Sequence, residues 1–357
     1  MNARPNPQMV VLAREMRGIT QKELCSKVPN LTQGNLSRME KGLLNITSET
    51  LTILAEELEF PEKFFFQETP VNRISNFYYR KRLSMSKKVL QITDAKMHVI
   101  SSCVDDLLDS VELVSIDIPK IKVDNTSNTP EDIARIARKF FDVPTGPIKD
   151  LVEILERKGI IIKELEFNTD KFDGITLITK KGQPIIFINI SIPNDRKRFT
   201  LSHELGHLIM HITFELDLEV SEKEIEREAN VFAAEFLMPE LEIRKDLTYI
   251  TYSKLSPLKE YWMTSKSSLI YRAHQLGCIG EDKYKNLLIE LSRQGERRYE
   301  KVEVKFQSPN LLHRIIDFFR SELNYSTTEI CDYLSISLKD FQDFFVPSTE
   351  VKLKIVR

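Results

Sequence analysis

The pentapeptide His203-Glu204-Leu205-Gly206-His207 constrains this chain more than any other stretch of it. Histidines four residues apart share one face of an α-helix, with Cβ atoms about 5–6 Å apart. From that face two imidazole nitrogens can close on one zinc ion at about 2.0–2.1 Å. Glu204 is offset from the ligand face and projects toward the open side of the metal. A carboxylate there can take a proton from a water held by the metal. Phe199, Leu201, Leu205, Leu208 and Ile209 make the helix largely buried, and His203, His207 and His211 are three of the chain's six histidines. An unused His-Glu-His cluster would be costly in such a place, which disfavours a chance match on a solvated helix. Gly206 lets another backbone or a substrate approach closely.

A catalytic zinc usually has three protein ligands and one open position, so a third ligand is expected. The segment Glu226-Arg227-Glu228-Ala229-Asn230 offers it. Glu226 and Asn230 lie one turn apart on one helix face. Glu226 can ligate while Asn230 hydrogen-bonds the far nitrogen of a ligand histidine. Glu228, which points away from that face, and His211, four residues beyond His207, are the competing choices. The spacing favours Glu226. A zinc site that is structural, with no catalysis, is the alternative use of the same residues.

Around this centre the chain reads as α+β and mostly helical. The pattern runs through a helix from Pro130, a second from about 147 to 158 closed by Gly159, a strand at Ile160–Ile162 and a hairpin. The hairpin strands are Gly174–Thr179 and Pro184–Ile190, joined by Lys180-Lys181-Gly182-Gln183. The second could be an edge strand holding an extended peptide by backbone hydrogen bonds. A helix across Glu226–Leu237 ends before Pro239. The remainder reads as helical, with a short strand at Val302–Phe306. Candidates by residue type alone for stabilising an oxyanion are Tyr249, Tyr252, Tyr271 and His274. The acidic run Glu215–Glu228 reads as a solvated loop leading into the ligand helix.

The amino-terminal residues form a different pattern. Leu12 and Met16 share a helix face and Gly18 ends that helix. Thr20 and Glu23 make a capping box, Thr32 caps a third helix that Gly42 closes, and Leu51, Leu54, Ala55 and Leu58 mark a fourth. A fifth can begin at Pro61. The second and third helices, with a short turn between them, have helix-turn-helix geometry. Residues 1–60 hold Arg4, Arg14, Arg17, Lys22, Lys27, Arg38 and Lys41 against Glu15, Glu23, Glu40, Glu49, Glu56, Glu57 and Glu59. A neutral module binds phosphates weakly. The bases, however, collect in helices two and three and many of the acids in helix four. A purely structural or protein-docking domain is the competing use.

Two resemblances sharpen these readings. Arg196-Lys197-Arg198-Phe199-Thr200-Leu201-Ser202 with the pentapeptide, and Glu226 through Pro239, resemble the ImmA/IrrE family of metallopeptidases. Phe77-Tyr78-Tyr79-Arg80 and Thr145-Gly146-Pro147-Ile148 resemble it more weakly. The likeness covers about residues 72–245. It implies His203, His207 and Glu226 as zinc ligands and Glu204 as general base, on a zincin-like domain with a small β-sheet. It also implies a protein substrate, a partner repressor whose cleavage relieves repression. Gly18 through Leu24 and Leu36 through Gly42 resemble the Cro and lambda-repressor-like domains, with Cys25 where alanine is usual. That likeness implies Thr32, Gln33 and Asn35 at base edges and Gln21, Ser37, Arg38 and Lys41 at phosphates.

The expected organisation is a five-helix helix-turn-helix domain over 1–68 and a helical linker over 69–128. A zinc peptidase domain follows over 129–250, then a helical region over 251–357 with a regulatory or docking use. Tyr325–Ser337 is a second candidate helix-turn-helix whose acids favour protein docking. The basic segment Arg80–Lys88 either extends the DNA footprint or carries a packed aromatic anchor. The formal net charge of −2 gives no global attraction to nucleic acid or membrane. Cys25, Cys103, Cys278 and Cys331 are scattered without a CxxC pair, which fits a reducing cytoplasm. No run approaches the roughly 20 apolar residues that span a bilayer, and residues 1–18 lack a signal-peptide core. The expected protein is a cytoplasmic regulator, with a homodimer as its assembly, that couples operator recognition to zinc-dependent cleavage. The alternatives are a non-enzymatic DNA-binding regulator with structural or sensory zinc, and an antitoxin-like interaction module.

Overall fold

The computed structural model of the chain describes residues 4–68, 73–74, 86–111, 113, 118–124, 127–169, 172–212, 221–297 and 299–346. The segment Phe77–Arg82 and the acidic stretch 213–220 lie outside the described residues.

The amino-terminal unit is built from α1 (Pro7–Met16), α2 (Gln21–Lys27), α3 (Gln33–Glu40) and α4 (Ser48–Glu57). The Thr20 hydroxyl accepts from Glu23 N at 3.2 Å and the Glu23 carboxylate from Thr20 N at 2.6 Å, so both capping-box bonds are made. Thr32 caps α3 by accepting from Asn35 N, and Gly42 follows at φ +70°. The fifth helical element is a 3-10 helix, Glu62–Phe66. Its Phe64 and Phe65 pack edge-on against one another and bury almost completely.

Among the described residues four strands follow in the spatial order β1-β3-β4-β2: β1 (Arg73–Ile74), β2 (Ile161–Leu165), β3 (Gly174–Ile178) and β4 (Pro184–Asn189). β3 and β4 are the expected antiparallel hairpin, with Gly174 opposite Ile188 and Ile178 opposite Pro184. β4 also pairs in parallel with β2, Ile161 opposite Ile185. β4 is therefore interior and not the edge strand expected. All six of its residues are buried. A strand apolar at successive positions is buried on both faces, and its backbone here is paired on both sides.

The two faces of this sheet serve different halves of the molecule. Ile161, Leu165, Ile175, Leu177, Ile185 and Phe187 point into one core. That core is shared with α1–α4, with α5 (Lys87–Leu107), and with α14 (Leu311–Ser321), α15 (Thr327–Leu334) and α16 (Leu338–Phe345). Ile162, Ile186 and Ile188 point into the other core. It is made with α6 (Pro130–Phe140), α7 (Leu151–Arg157), α8 (Asn194–Met210), α9 (Glu222–Leu237), α10 (Glu240–Leu247), α11 (Tyr252–Trp262), α12 (Lys266–Gln275) and α13 (Glu281–Arg293). The alternation of side chains along a strand thus sorts the helix-turn-helix from the HExxH helix.

The carboxy-terminal helices close on the amino-terminal unit. Arg17 forms a two-pronged pair with Asp340 at 2.7 Å per arm, donates to the carbonyls of Leu58 and Glu59, and lies over the Phe60 ring. Tyr333 donates to the carbonyl of Asp106 in α5. The second candidate helix-turn-helix, Tyr325–Ser337, holds α15 and the turn into α16 and packs inside the chain, with Ile330 and Leu334 buried. Val302–Phe306 is not a strand but irregular backbone. Its Val304 carbonyl accepts from the Asn194 side chain at the start of α8. No helix among the described residues is long and apolar enough to cross a membrane.

Candidate functional site

The helix α8 carries the pentapeptide and packs on the sheet face lined by Ile186 and Ile188, and His203 and His207 are both buried. Their Nε2 atoms stand 3.0 Å apart. Ser221 caps α9, which brings Glu226 over the same point. Glu226 Oε2 is 3.6 Å from His203 Nε2, and its Oε1 is 3.4 Å from His207 Nε2. One ligand atom from each of the three residues lies within 4.8 Å of the others, the one such group among the described residues. Tetrahedral ligand atoms about 2.05 Å from zinc stand about 3.3 Å from one another. The two imidazole nitrogens lie 3.0 Å from one another and each lies 3.4–3.6 Å from an oxygen of the Glu226 carboxylate, close to that value, so these three residues could hold a zinc ion.

Each histidine is held from behind. Asn230, one turn after Glu226, puts Oδ1 3.1 Å from His203 Nδ1. His207 Nδ1 is 3.0 Å from His211 Nδ1, and His211 Nε2 is 3.0 Å from Glu228 Oε2. The two competing ligand candidates, His211 and Glu228, thus pair with each other behind His207. Burial pushes His211 below the usual histidine range, and the Glu228 hydrogen bond opposes it.

Gly206 faces α9. A Cβ there would sit 2.9 Å from Phe232 Cδ1, inside the contact distance of real side chains. Its absence lets α9 approach closely enough for Glu226 and Asn230 to reach the histidines. The close neighbour is a side chain rather than a backbone or substrate.

Glu204 is buried, and its Oε2 accepts from the Thr176 hydroxyl at 2.9 Å. Sequence reasoning missed Thr176. The strand pattern Gly-Ile-Thr-Leu-Ile does set it on the face opposite Ile175 and Leu177, but only the packing of α8 says what that face meets. Gly174 supports the same contact, because a Cβ there would meet Phe187 O at 2.8 Å and Thr200 Cγ2 at 2.7 Å. Thr176→Val removes the hydroxyl at nearly constant volume. It is expected to lower peptide turnover about tenfold, equivalent to about 1.4 kcal/mol of the barrier, with metal content unchanged. Steady-state rates beside atomic absorption check this, and an unaltered rate would remove Thr176 from the site.

The oxyanion candidates divide. The Tyr252 hydroxyl donates to Glu296 and His274 pairs with Glu281. Tyr249 and Tyr271 are exposed.

In the amino-terminal unit α3 presents Gln33, Asn35, Arg38 and Lys41 to solvent, as does its cap Thr32, while Ser37 is half-buried. The Gln21 amide donates to Glu40 Oε2 at 2.7 Å, and Arg14 grips the same carboxylate at 2.7 and 3.2 Å. One acid and one base of the even count, Glu40 and Arg14, are therefore paired and buried inside the unit.

Comparison with known families agrees with this division. Residues 155–274 match the IrrE N-terminal-like domain, a peptidase-family domain, and residues 12–65 match the helix-turn-helix family. No curated protein matches the chain. The chain carries a helix-turn-helix domain followed by an IrrE N-terminal-like domain of the metallopeptidase type.

Proposed function

We propose that this protein is a transcriptional regulator with zinc-dependent endopeptidase activity, which cleaves a partner regulator, a repressor by preference, in the cytoplasm. The observation that carries the reading is the convergence of His203, His207 and Glu226 beside a buried Glu204. Those three residues would hold a zinc ion, which would supply Lewis-acid chemistry for polarising the scissile carbonyl and activating a water. Glu204 takes the proton of the attacking water and returns it to the leaving amine. Thr176 fixes one carboxylate oxygen of Glu204, leaving Oε1 to meet that water. Asn230 orients the His203 ring by accepting at Nδ1.

The deciding measurement is zinc per chain in the wild type and in Glu226→Ala. Stoichiometric zinc in the wild type, lost or weakened in the variant, is expected. Full retention would move the third ligand to Glu228 or His211. Absence of zinc from carefully prepared wild type would favour a DNA-binding regulator without enzymatic activity.

The helix-turn-helix unit of residues 1–68 recognises an operator through α3 in the major groove. Gln33→Ala and Asn35→Ala should each cost about 1–3 kcal/mol of operator affinity and relax base preference. Arg38→Ala and Lys41→Ala should weaken binding to all sequences and reduce the salt slope by about 1. Gel shifts across a salt series on the neighbouring promoter separate the two patterns. Binding that ignores all four substitutions would point to a docking role for this unit.

A further inference from the structure

The zinc reading leaves two buried polar side chains without a task, His211 and Glu228, and they stand in line with a ligand. We infer that His211 and Glu228 are positioning residues that hold the His207 ring for the metal. This inference rests on the three-ligand site proposed above.

The hydrogen-bond chemistry gives the line one direction. His207 turns Nε2 toward His203 Nε2 and Glu226, at 3.0 and 3.4 Å. An imidazole that ligates through Nε2 carries its proton on Nδ1. That proton points at His211 Nδ1, 3.0 Å away, so the His211 nitrogen must accept. His211 then carries its own proton on Nε2, and Glu228 Oε2 at 3.0 Å accepts it. Donors and acceptors match at every step, and the chain ends on a carboxylate. The other tautomer of His211 would set two N–H groups face to face at Nδ1 and leave two acceptors facing each other at Nε2.

The local architecture supplies these positions. His203, His207 and His211 recur every four residues on one face of α8 and its C-cap. Glu228 follows Glu226 by two residues on α9, which turns it away from the ligand face and toward the end of α8. His211 and Glu228 are buried, so water does not compete for the bond. The two ligand histidines are thereby held differently, His203 by a neutral amide and His207 by an imidazole with a carboxylate behind it.

The test uses the full chain and zinc itself, in competition with a chelator, and adds the visible spectrum of the cobalt(II) form. His211→Phe keeps the bulk and removes the acceptor. It should weaken zinc binding about 10–100-fold and alter the cobalt spectrum. The metal-free melting temperature serves as the control for folding. His211→Asn places an amide oxygen near the Nδ1 position and should restore much of the affinity. Glu228→Gln should weaken binding in the same direction by less. If His211→Phe does not fold, Glu228→Gln decides. Wild-type affinity and spectrum in His211→Phe, or in Glu228→Gln where the Phe variant does not fold, would overturn the inference and leave the three-ligand site standing. Zinc lost in His211→Phe but kept in Glu226→Ala would make His211 a direct ligand, overturning the inference together with the Glu226 assignment. A wild type that binds no zinc would overturn both proposals.

Discussion

Glu204→Gln is expected to keep its zinc and lose peptide cleavage. The substitution preserves shape and preserves the acceptor for the Thr176 hydroxyl, 2.9 Å from Oε2 in the wild type. It removes the basic oxygen that takes the proton. General acid–base groups contribute about 10²–10⁴-fold to rate, so the loss should be in that range with metal content unchanged. The assay pairs metal analysis with mass spectrometry of a co-encoded repressor after incubation with each protein. A variant that cleaves an identified substrate at the wild-type rate would end the proposed mechanism. Loss of zinc together with activity would instead make Glu204 part of the metal shell.

Arg272→Ala should produce the largest loss of stability, because it breaks an ion pair between two fully buried groups. Arg272 joins α12 to α9. Its Nη2 pairs with Glu235 Oε2, its Nε donates to the Met238 carbonyl, and its Nη1 donates to Gln275 at 2.9 Å. Both charged side chains are about 1% exposed. Removing the guanidinium leaves Glu235 with only the longer 3.4 Å pair to Arg135 and the Glu240 backbone. Breaking a buried pair from one side typically costs about 3–5 kcal/mol. The single tryptophan, Trp262, is buried in the same core and bonded to Asp246, so its fluorescence reports this half of the molecule. Its urea transition should move to markedly lower denaturant. An unmoved midpoint would mean that water or a rearranged Arg135 replaces the lost charge.

α9 links the two predictions. Its middle supplies Glu226 and Asn230 to the metal site, and its end supplies Glu235 to the α12 anchor. A helix tied at both places presents its ligand at a fixed distance from α8, which is what a three-ligand site needs. Arg272→Ala should therefore be compared with the wild type for zinc affinity well below its unfolding transition.

Much of this protein was readable from local chemistry. A four-residue histidine spacing needs only helix periodicity, and the Thr20–Glu23 capping box and Gly42 need only the backbone groups left unpaired at helix ends. The same periodicity paired Glu226 with Asn230, and turn residues between two apolar runs marked the hairpin. Those features depend on residues near one another in the chain, where the reach of a side chain is set by the helix or strand itself.

The remainder turned on contacts that no local pattern carries. Pairing of β4 with β2 made an apparent edge strand interior, because that partner lies beyond β3 in sequence and no turn joins it to β4. Thr176 met Glu204 only because α8 lies across one face of the sheet. His211 and Glu228 were rivals for a ligand position on spacing alone, and the approach of α9 to α8 set them together behind His207. The second candidate helix-turn-helix, Tyr325–Ser337, could not be placed from its own residues, and only packing showed Ile330 and Leu334 buried and Tyr333 bonded to the Asp106 carbonyl. Sequence by itself determined which side chains could act and on which helix face they stand. Tertiary structure decided which of them meet, because distances between elements follow from how whole apolar faces pack.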